Sequence, residues 1–379
     1  MSRQALIIGA GIGGLAAAVA LRAAGWNVRV LERAQTPREL GFALLLAPNA
    51  MAALRALGVA DAVVQGGAVA TQAEVRRPDG TVLKRIDLAP IQAKLGEPTV
   101  CALRPVVHGA LLAALSEDVL ELGVEARGVE LGDGFVRLHL ADGSVRTGDV
   151  LVGADGVRSA IRASLHPDDP PPWPSGLAAF RGVARGVTGV LGEATGAQYL
   201  GTGCEAGVSR AAPDTVYWYV CMRTPPANRR AALDRVLEGF HASFSAIVEA
   251  TDPSDLRYDE LFERAPLRAW GRGRATLLGD AAHPMLPHAG QGAAQALEDA
   301  VVLGRALASA PDVERALRHY EAERSARTRK IVALARRNAR AASIESPWVC
   351  ALRDAVVRVL PGSVMAKSMV DVGRPSFMR

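Results

Sequence analysis

The chain has 379 residues, more than one hydrophobic core usually holds, so two structural domains are expected. Hydrophobic residues make up 49% of it, which excludes global disorder and allows a large core. The net charge is +5, and all but four of the 44 basic residues (Lys84, Lys94, Lys330 and Lys367) are arginines. Apart from a stretch at Arg324 to Arg340 they are scattered among acids, which sets nucleic-acid binding aside.

In chain order, residues 4–8 read as a short buried strand, GAGIGG as a turn, and Leu15 to Ala24 as an Ala-rich helix stopped by Gly25. Asn27 to Leu31 forms a second strand ending at Glu32, completing a β-α-β unit. The apolar run from Ala5 to Ala20 is too short and too glycine-broken for a membrane span or signal peptide, and no transmembrane segment follows; a cytoplasmic protein with free thiols is expected. Helical pattern returns at 49–57 and 106–115, flanking a hairpin at 73–86 with Asp79-Gly80 at its turn. Residues 124–155 alternate as strands around Asp133-Gly134 and Asp142-Gly143. A Pro-rich break at His166 to Pro174 precedes strand-like residues 177–223, then helices from Arg229 to Ala250. The strand 275–280 leads through a Pro/Gly-rich loop to a long helix from about Ala293. Residues 345–379 carry apolar and basic residues at helical spacing, read as core packing in preference to membrane contact. This order predicts an α/β fold: a discontinuous Rossmann-like domain (1–72, 98–176 and 268–345), an inserted β-sheet domain (73–97 and 177–267), and a C-terminal helical segment (346–379).

The strongest local signal is Gly9-x-Gly11-x-x-Gly14 between strand and helix, with Glu32 and Arg33 at the next strand's end. Gly9 permits the tight turn, Gly11 lets backbone approach a diphosphate, and Gly14 allows close helix–strand packing. The helix N-terminus attracts the phosphates and Glu32 can accept ribose hydroxyls. This spacing specifies a dinucleotide but does not separate FAD from NAD. The four cysteines and seven histidines show no metal-ligand spacing, so no metal is expected.

Two further segments separate the cofactors by resemblance. Residues 151–162 (LVGADGVRSAIR) resemble the Asp-Gly motif of flavoprotein monooxygenases, and 277–300 (LLGD, then AAHPMLPHAGQGAAQALEDA) are similar to the second flavin fingerprint of FAD-dependent aromatic hydroxylases of the para-hydroxybenzoate hydroxylase type, whose relatives include salicylate and 3-hydroxybenzoate hydroxylases. Gly41 through Leu57 and Leu103-Arg104 support the match, which covers nearly the whole chain. The resemblance implies bound FAD, NADH or NADPH as transient co-substrate, and O2-dependent hydroxylation of a small aromatic or heteroaromatic substrate through a flavin C4a-hydroperoxide. It makes the Rossmann-like unit the FAD-binding domain and the inserted sheet the substrate domain. The alternative is a flavin-dependent dehydrogenase or reductase on the same fold, without oxygen insertion.

Carried onto this chain, the resemblance assigns Asp280 to a ribityl hydroxyl, and Pro287, Gly290, Gly292 and Ala293 to the flavin ring, with the helix N-terminus near Ala293 stabilising charge there. Arg104 is a candidate phosphate partner, Val129 a backbone contact of adenine and Leu45 a residue at the flavin edge. Asp155 and Arg162 belong to the motif that bridges FAD and NAD(P)H; a structural turn held by Asp155 is the competing reading. His288 and Tyr217 are the catalytic candidates. An imidazole at 288 with an ordinary pKa could deprotonate or orient a phenol, and Tyr217 shares a strand face with Tyr219, opposite Trp218. His283 reads as structural. No second G-x-G-x-x-G unit and no halogenase signature occur, so NAD(P)H visits without a Rossmann site of its own. Expected partners are the aromatic substrate, O2 and NAD(P)H, with no integral membrane contact, the protein being a monomer or homodimer.

Overall fold

The apolar residues after Gln4 form the strand Gln4–Ile8 in a computed structural model, which describes residues 3–36, 42–225, 228–308 and 310–378; Gly41, the first residue of the supporting 41–57 match, lies outside the described residues. The helix Ile12–Ala23 follows, three residues earlier than the Leu15 read from sequence, because Gly13 and Gly14 occupy its first turn. The strand Asn27–Glu32 then pairs in parallel with the first. These two strands, with Val150–Gly153, Ala275–Leu277 and Leu120–Leu122, make a parallel five-stranded sheet. Its central strands are buried but for Gln4 at one end, as expected where helices cover both faces. Ile8, Gly153 and Leu277 stand in register, so the loops that follow them leave the same edge of the sheet.

A seven-stranded sheet runs in the order Arg257–Glu263, Trp173–Arg185, Thr215–Arg223, Cys204–Ala212, Gly196–Leu200, Gln72–Arg76, Val82–Asp87. The hairpin around Asp79-Gly80 is thus present, and joins the distant strands through Gly196–Leu200. The strand Trp173–Arg185 begins inside the Pro-rich stretch read as a boundary, and its ladder slips between Pro174 and Ala178, where Pro174 has no N–H to give. Alternation sorts the strand Thr215–Arg223. Trp218 and Val220 pack on Phe244 of the helix Ala242–Glu249, while Tyr217, Tyr219 and Cys221 turn to the other face. That other face packs on Leu286, Met285 and Ala289 and on Ala43 and Leu103, so it looks toward the five-stranded sheet's loops.

The long helix expected from about Ala293 is two helices, Gly292–Ala308 and Val313–Ala342. The basic stretch lies on the second, and much of it is internal: Arg324 is fully buried, while Arg327 and Arg336 are ion-paired. The C-terminal segment is also two helices, Pro347–Val359 and Gly362–Gly373, divided at Pro361. Core packing holds for the second through Val370 but fails for the first, whose Trp348 is 87% exposed. Its apolar residues point outward, because its polar residues have partners on the seven-stranded sheet.

Candidate active site

Gly9 adopts φ +101°, and a side chain there would press on the carbonyl of Ala154 at 2.6 Å. A Cβ at Gly14 would meet the Gly9 carbonyl oxygen at 1.9 Å, so helix and turn touch only because both residues are glycine. Gly11, by contrast, faces open space. The helix Ile12–Ala23 has no side-chain cap, which leaves its first N–H groups directed at that space. This cradle fits a diphosphate. Glu32 braces it, accepting from Ala10 N–H through one carboxylate oxygen and from Ala34 N–H through the other, both at 2.9 Å. Each oxygen retains a lone pair for a ribose hydroxyl. Arg33 is exposed beside it.

At the same sheet edge, Asp280 ends the 275–280 segment. Solvent reaches its carboxylate, but protein surrounds it on most sides; that enclosure raises its pKa, opposed by the charges of His283 and Arg104. Arg104 opens the helix Arg104–Ala113, and burial lowers its pKa while Asp280 raises it. Among the described residues its guanidinium has no hydrogen-bond partner. Its Cζ lies 5.6 Å from the Phe42 ring, and that of Arg181 lies 5.2 Å from the same ring. Leu45, on the neighbouring strand Ala43–Leu46, is 49% exposed, an apolar surface beside these charges. Pro287 and Gly290 are exposed, Gly290 closing a short turn at φ +60°, and Gly292 and Ala293 open the next helix half-buried.

A buried polar network fixes this loop. Asp299 accepts from Gly279 N–H at 3.0 Å, lies 2.6 Å from His283 Nε2 and accepts from Arg324 Nε at 2.6 Å. Burial opposes its ionisation, but His283 and Arg324 overcome this and hold Asp299 at about 2. Arg324 also donates to Glu298, and Asn49 donates to both Glu298 and Gln291. His283 is therefore structural, as read from sequence. Asp155 and Arg162 are likewise occupied. Asp155 accepts from Ser159 Oγ and from the N–H of Ala160 and Ile161, capping the helix Ala160–Leu165. Arg162 is fully buried, grips Asp169, and donates to the carbonyls of Ala281 and Ala282 just past Asp280. Val129 N–H donates to Ser164 Oγ at 2.9 Å and its carbonyl accepts from the same hydroxyl at 3.4 Å, so both of its backbone groups already have a partner.

Of the catalytic candidates, Tyr217 is half-buried against Leu103 and Ala43, and burial pushes its phenol well above the usual range. Arg181, on the adjoining strand, donates to Asp259 at 2.8 Å and places positive charge near Tyr217. Tyr219 donates to the buried Glu205 at 2.8 Å. His288 departs from the expected ordinary pKa: burial lowers it to about 4, with its Nδ1 buried and unpartnered among the described residues. Arg181, Glu205 and Arg324 carry no motif signal, and Asp299 lies in the 277–300 motif without having been singled out; the strand alternation that groups Tyr217 with Tyr219 could have found Arg181 once its pairing was known. A recess of about 1040 Å³ between Val302, Lys330 and Phe377 contains none of the residues singled out from the sequence, and borders the Arg324 network through Arg327 and Ser376.

Comparison with known proteins agrees with this geometry. Residues 2–335 match the family described as FAD binding domain. The chain is 36% identical to aurachin C monooxygenase/isomerase of Stigmatella aurantiaca, covering 94% of each chain, and 33% identical to 6-hydroxynicotinate 3-monooxygenase of Pseudomonas fluorescens, covering 92% of this chain and 94% of that one. The structure of Klebsiella pneumoniae HpxO complexed with FAD and uric acid superposes with a TM-score of 0.91 at 27% identity, over 98% of this chain and 96% of that one. The chain belongs to the FAD-binding flavoprotein monooxygenases, the family of FAD-dependent aromatic hydroxylases.

Proposed function

We propose that the protein uses NAD(P)H and O2 to hydroxylate a small, electron-rich aromatic or heteroaromatic substrate, held between the 287–292 loop and the Arg181, Tyr217 and Tyr219 face of the seven-stranded sheet. One observation carries the reading: the edge that gathers the Gly9 cradle and Asp280 faces a sheet surface bearing tyrosines and an arginine, with Arg104 and Arg181 at one aromatic ring between them. Two similar proteins support the substrate class, one named for 6-hydroxynicotinate and one structure holding uric acid.

When bound, FAD supplies the electron transfer and oxygen chemistry. The N–H groups behind Gly11 would hold its diphosphate, Glu32 its ribose, Asp280 its ribityl chain, and Leu45, Pro287, Gly290, Gly292 and Ala293 its ring. The start of the helix Gly292–Ala308, which has no acid in its first turn, would set positive potential beside that ring. Tyr217 stays protonated and donates to the substrate; Arg104 and Arg181 favour an ionised oxygen on it. His288, neutral at physiological pH, orients the ring as a hydrogen-bond partner and is too weak a base to deprotonate it. Bound FAD and substrate would cover the exposed Leu45, Pro287 and Gly290, and the exclusion of water there favours hydroxylation over release of peroxide.

The test is a screen of hydroxylated aromatic and N-heteroaromatic acids for stimulated NAD(P)H oxidation coupled to hydroxylated product. Tyr217→Phe should retain flavin and its reduction while KM rises up to about tenfold, the loss of one hydrogen bond. An unchanged KM for every substrate found would remove Tyr217 from the pocket.

A further inference from the structure

The helix Pro347–Val359 is built inside out. Two of its three charged residues face the protein: Asp354 is buried and accepts from Arg77 Nε at 2.8 Å and Arg353 Nη2 at 3.0 Å, and Arg353 donates to the carbonyls of Leu200 and Gly201. Cys350 shares that inner side, its thiol 3.3 Å from the Ile344 carbonyl. The outward residues Trp348, Leu352, Ala355 and Val359, with Val349 and Val356 beside them, recur at the spacing of one helical face. Leu352 is 66% and Val359 79% exposed, and the stripe continues past Pro361 to exposed Val364. Single exposed apolar residues are ordinary on a protein surface, but a continuous stripe headed by an exposed tryptophan marks a contact.

Charge and size select the occupant. No acid is exposed between Ser346 and Gly362; Arg358 is the exposed charge there, and exposed Lys367 follows on the next helix. A second copy would therefore meet Arg358 with no carboxylate from this helix; the exposed acids that flank the stretch in sequence are Glu345, already paired with Arg223, and Asp371. The face is also small. A helix of 13 residues is about 20 Å long and about 10 Å across, short of the roughly 800 Å² that each partner contributes to a stable dimer. A lipid surface needs neither area nor complementarity of shape, and takes up Trp and Leu side chains beside basic ones. Among the described residues no helix is long and apolar enough to cross a membrane, so the contact lies in the plane of the surface.

We propose that this face docks the protein on a lipid bilayer bearing anionic headgroups, with Trp348, Leu352, Val356, Val359 and Val364 at the acyl boundary and Arg358 and Lys367 among the headgroups. The experiment is sedimentation of the FAD-loaded full chain with phosphatidylcholine vesicles, with and without phosphatidylglycerol. The wild type should pellet with the anionic vesicles and be released by high salt. Leu352→Glu should abolish this and Arg358→Glu should weaken it by about tenfold or more, both retaining flavin because these side chains are exposed. Failure to pellet with anionic vesicles overturns the proposal. So does a wild-type dimer in sedimentation velocity that Leu352→Glu turns into monomer, since a second copy then covers the face.

Discussion

At Gly11 the space next to the backbone is empty, while Gly9 and Gly14 are hemmed in by main chain. The three glycines therefore fail differently when replaced. Gly11→Val should fold and melt close to FAD-stripped wild type yet fail to bind FAD, because its side chain fills the diphosphate space; retention of flavin in purified Gly11→Val would contradict the cradle. His288 gives a second residue-scale prediction. Its folded pKa of about 4 lies below the ordinary 6.5, so the unfolded chain takes up the proton first as pH falls. The stability it permits is complete above 6.5 and is lost as pH drops toward 4. Melting temperature against pH should be flatter across that window in His288→Gln than in wild type. Equal slopes would mean that the imidazole is freely solvated.

The element that organises the site is the Gly292–Ala308 helix, locked to the Val313–Ala342 helix by Arg324 on Asp299 and Glu298. Removing Arg324 leaves two carboxylates buried with less compensation, and losses of this kind cost about 3–5 kcal/mol. Arg324→Ala should lower stability by that order in denaturant titration and loosen flavin, since Asp299 also holds Gly279 N–H beside Asp280. A change below about 1 kcal/mol would show that the network is solvated. Little of this was legible in advance. Glycine spacing and strand alternation reveal the nucleotide cradle and the Tyr217 face, because both are local. Asp299 and Arg324 lie 25 positions apart, at the end of the 277–300 motif and in a basic stretch, and only tertiary pairing exposes their joint role. The 346–379 segment misled for a related reason: periodicity marks an apolar face but does not say on which side the protein lies.

Over the whole molecule, one sheet edge gathers the residues that fit FAD, and a second sheet closes over them with the tyrosine and arginine face. No second dinucleotide motif is present in the sequence, so NAD(P)H should bind weakly and be absent from the protein as purified, while denaturation should release a chromophore with the mass of FAD. A dehydrogenase on this fold would share both properties, and only the fate of oxygen separates the two. The decisive measurement is turnover of a stimulating aromatic substrate under isotopically labelled dioxygen with NAD(P)H. The account predicts one labelled oxygen atom in each molecule of product and one NAD(P)H oxidised for each. Substrate oxidised with no label incorporated would contradict it.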